Sequence, residues 1–205
     1  MAGGDKTCVH NELRDTLHRH AQSAGTRPQC ERSGLLGDGE ERRRPADTLL
    51  NNRQGIRTSR ARIFPKLALD VGVVCPQAAC HVEGAAEGSA AAANAYTGVK
   101  RERGETDKRC EEAGVDYQPI VVESLGAMTL EASHVLHALH RLVADNTFTP
   151  VGEVATRFWR RASIDMQRSL HRAFVRRQVA KVTVGRTQAS RELGTCELVE
   201  PFMDE

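Results

Sequence analysis

Apolar positions along the chain fall into two kinds of repeat. In HNELRDTLHRHAQSAG (10–25), Leu13, Leu17 and Ala21 recur every four residues and Gly25 offers a stop, which predicts a helix. RPQCERS (27–33) suits a short strand, followed by the turn-rich GLLGDGEE. ADTLL (46–50), after Pro45, suits another strand. Residues 51–66 read as a basic hairpin or exposed loop. LALDVGVV (67–74) is the clearest strand: short, Val-rich, and ended by Pro76. Its apolar residues flank Asp70 on both sides, the pattern of a strand buried on both faces.

Beyond it, residues 83–114 are helical by alanine content, weakened by glycines and ended by Gly114. VDYQPIVVES (115–124) predicts a further strand. TLEASHVLHALHRLVAD (129–145) predicts an amphipathic helix with Thr129 as its N-cap. Residues 150–178 predict a second helical region, bent or broken near Ala162–Ser163. The order is helix, strand, strand, strand, helix, strand, then helices, an α/β mixture. The expected organisation is a disordered segment over 1–9, an α/β domain over 10–145, a basic helical extension over 146–180 and a flexible tail over 181–205.

Composition adds two constraints. Aromatics make up 4% of the 205 residues, so the core must come from Leu, Val, Ile and Ala. The formal charge is only +2, but residues 41–66 hold eight Lys/Arg against two acids and residues 151–180 hold seven Arg against two acids. Clustered arginine suits phosphate contact, and a solvated basic face explains each cluster equally well. No run is long enough to span a membrane and the N-terminus has no apolar stretch of signal-peptide type, so the expected setting is intracellular, with free thiols. Cys75, Cys80 and His81 are close but lack the second pair of a zinc site. His134, His137 and His140 share one helix face, with His171 further on; they are a conceivable metal cluster and more ordinarily half-exposed polar neighbours.

The chemistry of interest lies in the acids. An ionised Asp in a doubly buried strand is costly unless paired or bound to a cation. Asp47 and Asp70 lie 23 residues apart, enough for a hairpin to bring them together. Lys100 is on the following helix, Glu123 on the next strand and Glu12 on the first helix. Taken alone, Lys100 and Glu12 read as surface residues and Asp47 as a turn residue. Two carboxylates and a lysine are also the parts with which a site holds Mg²⁺ or Mn²⁺ against a phosphodiester.

HNELRD opening a helix, RPAD before a strand, LALDVGVV and VKRERGETDKRCEEAGVDYQPIVVESLGA together resemble a known unit. It is the restriction-enzyme-like endonuclease region at the C-terminus of non-LTR retrotransposon reverse transcriptase polyproteins, within the PD-(D/E)XK superfamily. The resemblance covers about residues 10–145, with an extension to 178 as the wider reading. It implies an αβββαβ restriction-endonuclease-like core with C-terminal helices. It also implies catalytic roles for Asp47, Asp70, Lys100 and Glu123, with Mg²⁺ or Mn²⁺ held by Asp47 and Asp70. The implied activity is nicking of DNA before reverse transcription, in the nucleus, within an RNA–protein retrotransposition complex. The DNA backbone would be held by Arg42, Arg43, Arg44, Arg57, Arg60, Arg62, Arg157, Arg160 and Arg161.

The sequence departs from the family pattern in two places. Ala46 separates Pro45 from Asp47, and Val71-Gly72 after Asp70 leaves no lysine on the strand, so the lysine must come from the helix. A catalytically inactive remnant of the fold, acting as a nucleic-acid-binding module, is the alternative expectation.

Overall fold

The computed structural model describes residues 3–31, 33, 35–36, 45–58, 60, 63–78, 80–86 and 88–193. Four strands form one mixed sheet in the order β1 (Gln29–Cys30), β2 (Thr48–Asn51), β3 (Lys66–Val74), β4 (Val115–Glu123). The first three are antiparallel neighbours and β3 runs parallel to β4. The protein is therefore a mixed α/β fold. Helices α1 (Gly3–Ser23), α2 (Val82–Ala85), α3 (Ala91–Glu102), α4 (Thr106–Glu112), α5 (Leu130–Thr147) and α6 (Val151–Leu193) flank the sheet, with a 3₁₀ turn at Arg103–Glu105.

The alternation along β3 sorts the two faces. Leu67, Leu69 and Val71 point into the larger core, built with the Leu13–Leu17–Ala21 stripe of α1, with Val135 and Leu139 of α5, and with Phe158 and Ala162 of α6. Ala68 and Val74 point the other way, toward smaller clusters under α3 and α4. Burial of both faces explains the nearly unbroken apolar run. Asp70 belongs to the second face. The crossover from β3 to β4 carries α3 and α4 across that same face.

Several local expectations change. The first helix begins at Gly3, so residues 3–9 are not a disordered segment, and Val9 is buried in the core. The first strand shrinks to two residues, ending where Glu31 takes a positive φ of 44°. The 83–114 helix is three pieces. Gly104, at φ 57°, turns the chain between α3 and α4, which no continuous helix tolerates. Helix α6 runs unbroken past Ala162, which is fully buried where α6 lies against the core. It continues to Leu193 through residues expected to be a loose tail; that stretch holds no proline, and its one glycine, Gly185, costs about 1 kcal/mol. Among the described residues no helix is long and apolar enough to cross a membrane.

Candidate functional site

The antiparallel β2–β3 ladder ends at Thr48, which pairs with Leu69, the residue before Asp70. The Asp47 N–H also turns to β3 and donates to the Leu69 carbonyl at 3.0 Å, a bond that a residue in regular register opposite Asp70 would not make. Asp47 Oδ2 reaches the N–H of Val71, next to Asp70, and the Asp47 charge acts on Asp70, so the two acids are neighbours.

Each carboxylate is gripped by its surroundings. Asp47 Oδ1 lies 3.1 Å from His10 Nε2 on α1, and Oδ2 accepts the Val71 N–H at 2.7 Å. The second bond has a plain structural use: it satisfies a β3 donor at the point where β2 starts. Asp70 Oδ1 accepts from Lys100 Nζ at 2.6 Å, and Oδ2 from the Tyr117 hydroxyl at 2.5 Å. Lys100 comes from the last turn of α3, just before the Gly104 break, and Tyr117 comes from the neighbouring β4. Gly72 gives Lys100 its room. A Cβ there would meet Lys100 Cε at 2.9 Å and Tyr96 Cε1 at 3.1 Å.

The two acids titrate apart. Burial pushes the Asp70 carboxyl up, and the nearby Asp47 charge adds to that; Lys100 and Tyr117 offset only part of it. Burial also acts on Asp47, but the His10 hydrogen bond and charge, the Val71 N–H and the Lys100 charge outweigh it and hold Asp47 below the usual carboxylate range. The hydrogen bond to Asp47 raises the His10 imidazole, and burial and the Asp70 charge keep the Tyr117 phenol protonated. Paired carboxyls whose environments separate their titrations are a mark of functional sites. A cavity of 420 Å³ opens beside them, lined by Asp70, Lys100, Tyr117, Tyr96 and Arg103. Another cavity, of 710 Å³, lies between the Gln54–Thr58 loop and α5 and shares no residue with this site.

The other expected residues are placed elsewhere. Glu123 pairs with Val74 in the parallel ladder whereas Pro119 pairs with Asp70, so Glu123 lies four residues, about 13 Å, along the sheet from the acid pair. Its carboxylate accepts the Ala93 N–H at 3.2 Å and so holds the first turn of α3. Glu12 faces Arg172 of α6 at 3.7 Å. His140 is buried with its Nδ1 2.8 Å from His20 Nε2, while His134 and His137 are exposed. Among the described residues, no group of three or more His, Cys, Asp or Glu side chains is arranged to hold a metal ion. Two carboxylates nonetheless suit Mg²⁺, which keeps several of its waters and takes only one or two protein carboxylates.

Of the arginines expected at DNA, Arg42, Arg43, Arg44 and Arg62 lie outside the described residues. Arg60 is committed within the fold: it reaches Asp107 at 2.9 Å, Glu111 at 2.5 Å and the buried Asp116 at 3.2 Å. Arg157 pairs with Glu153, and Arg161 with Asp165 at 2.6 Å. Arg57 and Arg160 are exposed.

Sequence reasoning missed His10 and Tyr117. The first signal was a histidine, His10, one turn before Leu13 on the helix that carries the Leu13–Leu17–Ala21 stripe. The second was a tyrosine two residues before the proline that pairs with Asp70. No protein-family model matches this chain, and no curated protein matches it.

Proposed function

We propose that this chain is a retrotransposon-derived, divalent-metal-dependent DNA endonuclease domain of the restriction-enzyme-like kind, nicking a phosphodiester for target-primed reverse transcription. The observation that carries the reading is the nearness of Asp47, just before β2, to Asp70 on β3, with Lys100 from α3 at 2.6 Å from Asp70. The order of helix, three antiparallel strands, crossover helix and parallel strand is what an αβββαβ nuclease core requires.

In this reading Asp47 and Asp70 would hold Mg²⁺ or Mn²⁺. A bound ion of this type lowers the pKa of its water and stabilises charge on the leaving oxygen. Lys100 neutralises the phosphate and keeps Asp70 in place from a helix, in the role a strand lysine would otherwise fill. His10 orients Asp47 through its 3.1 Å hydrogen bond, and Tyr117 orients Asp70. Glu123 acts at one remove, by fixing the start of the helix that delivers Lys100.

Supercoiled plasmid incubated with the protein in Mg²⁺ or Mn²⁺ tests this directly, beside Asp70→Ala, Asp47→Ala and a metal-free control. Metal-dependent nicking that both substitutions abolish is expected. A folded protein that binds DNA and leaves the plasmid intact would overturn the enzyme reading.

One observation favours the second reading, an inactive nucleic-acid-binding remnant. All four oxygens of the two carboxylates already carry a donor from the protein. The two readings separate on thermal stability, because an ion bound only by the native state raises Tm with its concentration.

A further inference from the structure

Of the arginines that stand out in the sequence, Arg60, Arg157 and Arg161 are paired with acids in the fold, and a further group of cations lies elsewhere. Arg27, Arg53 and Lys66 are exposed, and among the described residues none of them has an ion-pair partner. All three line one cleft of 510 Å³ whose described lining contains no carboxylate. The cleft lies at the end of β2 where the short β1 stops pairing with it. There β1 pairs only with Thr48 and Leu49, and beyond it the 26–27 segment meets the end of β2 through the Asn51 N–H.

The backbone that carries these cations is built rather than loose. Asn52, buried, donates to the carbonyls of Ile56 at 2.9 Å and Phe64 at 3.0 Å and accepts the Ile56 N–H at 2.7 Å. Its own N–H donates to the Pro65 carbonyl at 2.8 Å, next to Lys66. On the other side, the buried Thr26 hydroxyl donates to the Ala21 carbonyl at 2.8 Å, and the Asn51 N–H donates to the Thr26 carbonyl at 3.1 Å. Arg27 itself sits at φ 49°, a conformation that costs a side-chain-bearing residue about 1 kcal/mol. Holding three like charges together, on a fixed backbone and with one of them strained, opposes stability unless an anion relieves it.

We propose that the Arg27–Arg53–Lys66 cleft is a subsite for the phosphodiester backbone of a nucleic acid strand. This rests on the nucleic-acid reading above but not on cleavage. The ladder fixes its relation to the acid pair: Lys66 pairs with Asn51 at one end of the β2–β3 ribbon, and Thr48 pairs with Leu69, beside the acids, at the other. Four residues of strand span about 13 Å, which corresponds to about four phosphates along one strand of a duplex. A backbone seated in the cleft therefore runs toward the acids within half a helical turn. Contacts of this kind position a duplex without reading its sequence.

The test is a salt titration of binding to a labelled duplex of about 20 base pairs, read by anisotropy without metal. It uses the full chain and the variant Arg27→Gln/Arg53→Gln/Lys66→Gln. All three side chains are exposed, and the single variant Arg53→Glu serves as a second probe that leaves both strands untouched. The triple variant should bind roughly tenfold or more weakly at physiological salt. The steepness of log K against log salt should fall by about two to three, and Arg53→Glu should fall in the same direction. Binding is read without metal and without cleavage, so a failure of nicking leaves this result standing. An unchanged slope in a triple variant with wild-type Tm overturns the subsite, as does a wild-type chain that does not bind the duplex. A triple variant that loses affinity for poly-glutamate while keeping its DNA slope also overturns it, in favour of an acidic protein partner.

Discussion

Lys100 and Asp70 form a one-sided pair: the lysine reaches the carboxylate from the end of a helix, at 2.6 Å, while the carboxylate is fixed mid-strand. Asp70 cannot move toward water, whereas the lysine stem can extend and carry its charge outward. The two single deletions should therefore differ. Lys100→Met leaves a largely buried Asp70 with only Tyr117 and should cost on the order of 2–4 kcal/mol in urea unfolding. Asp70→Asn should cost less than Lys100→Met, since the released ammonium finds solvent. Equal losses would mean that the pair is not anchored from the strand. Both variants should abolish metal-dependent nicking.

Gly72 faces the same lysine, and a methyl group added there tests geometry without touching charge. Its Cβ would lie 2.9 Å from Lys100 Cε, 3.1 Å from Tyr96 Cε1 and 3.3 Å from Val121 Cγ2. Lys100 is the softest of the three and gives way first. Gly72→Ala should cost about 1–2 kcal/mol by overpacking and should cut nicking sharply, because the ammonium leaves Asp70. Wild-type nicking by a folded Gly72→Ala protein would show that Lys100 need not hold Asp70.

The acid pair was legible because its signal is local: an Asp inside LALDVGVV has no cheap ordinary explanation, and a second acid sits one hairpin away. The element order was legible for the same reason, since period-two and period-four patterns are short-range. What connects distant segments was not. His10 reaches Asp47 across 37 residues and Tyr117 reaches Asp70 across 47, and neither partner departs from a residue type its own element would accept. The arginine clusters misled in the opposite sense. Local charge density says nothing about acids that folding brings in from α4 and β4, and those acids claim Arg60.

Arg60 accordingly carries a stability prediction instead of a binding one. It ties the 51–66 loop to α4 and β4 through Asp107, Glu111 and Asp116, and Asp116 is almost wholly buried with its carboxyl pushed up by burial. Arg60→Met strands those acids. It should lower stability by about 3 kcal/mol while leaving the salt slope of DNA binding unchanged. A large drop in that slope with little loss of stability would return Arg60 to the DNA-facing surface.

His20 and His140 meet where α1, α5 and α6 converge, with their rings against Phe158. Burial, reinforced by His140 for His20 and by His137 for His140, lowers each imidazole to about 4. Both are therefore neutral in the native protein at pH 7, one ring nitrogen donating to the other. In the unfolded chain each takes a proton near pH 6.5. Between about 4 and 6.5 the unfolded state binds more protons, so stability must fall as pH drops through that window and level off below it. For a hydrogen-bonded pair the combined loss is on the order of a few kcal/mol, enough to move Tm by several degrees. The carboxylates titrate near the bottom of this range, so the informative quantity is the difference between wild type and His140→Phe. That variant removes both the buried proton site and the partner of His20. Its Tm should fall less steeply than wild type from pH 6.5 to pH 4; parallel curves would mean that the pair is not neutral and buried in solution.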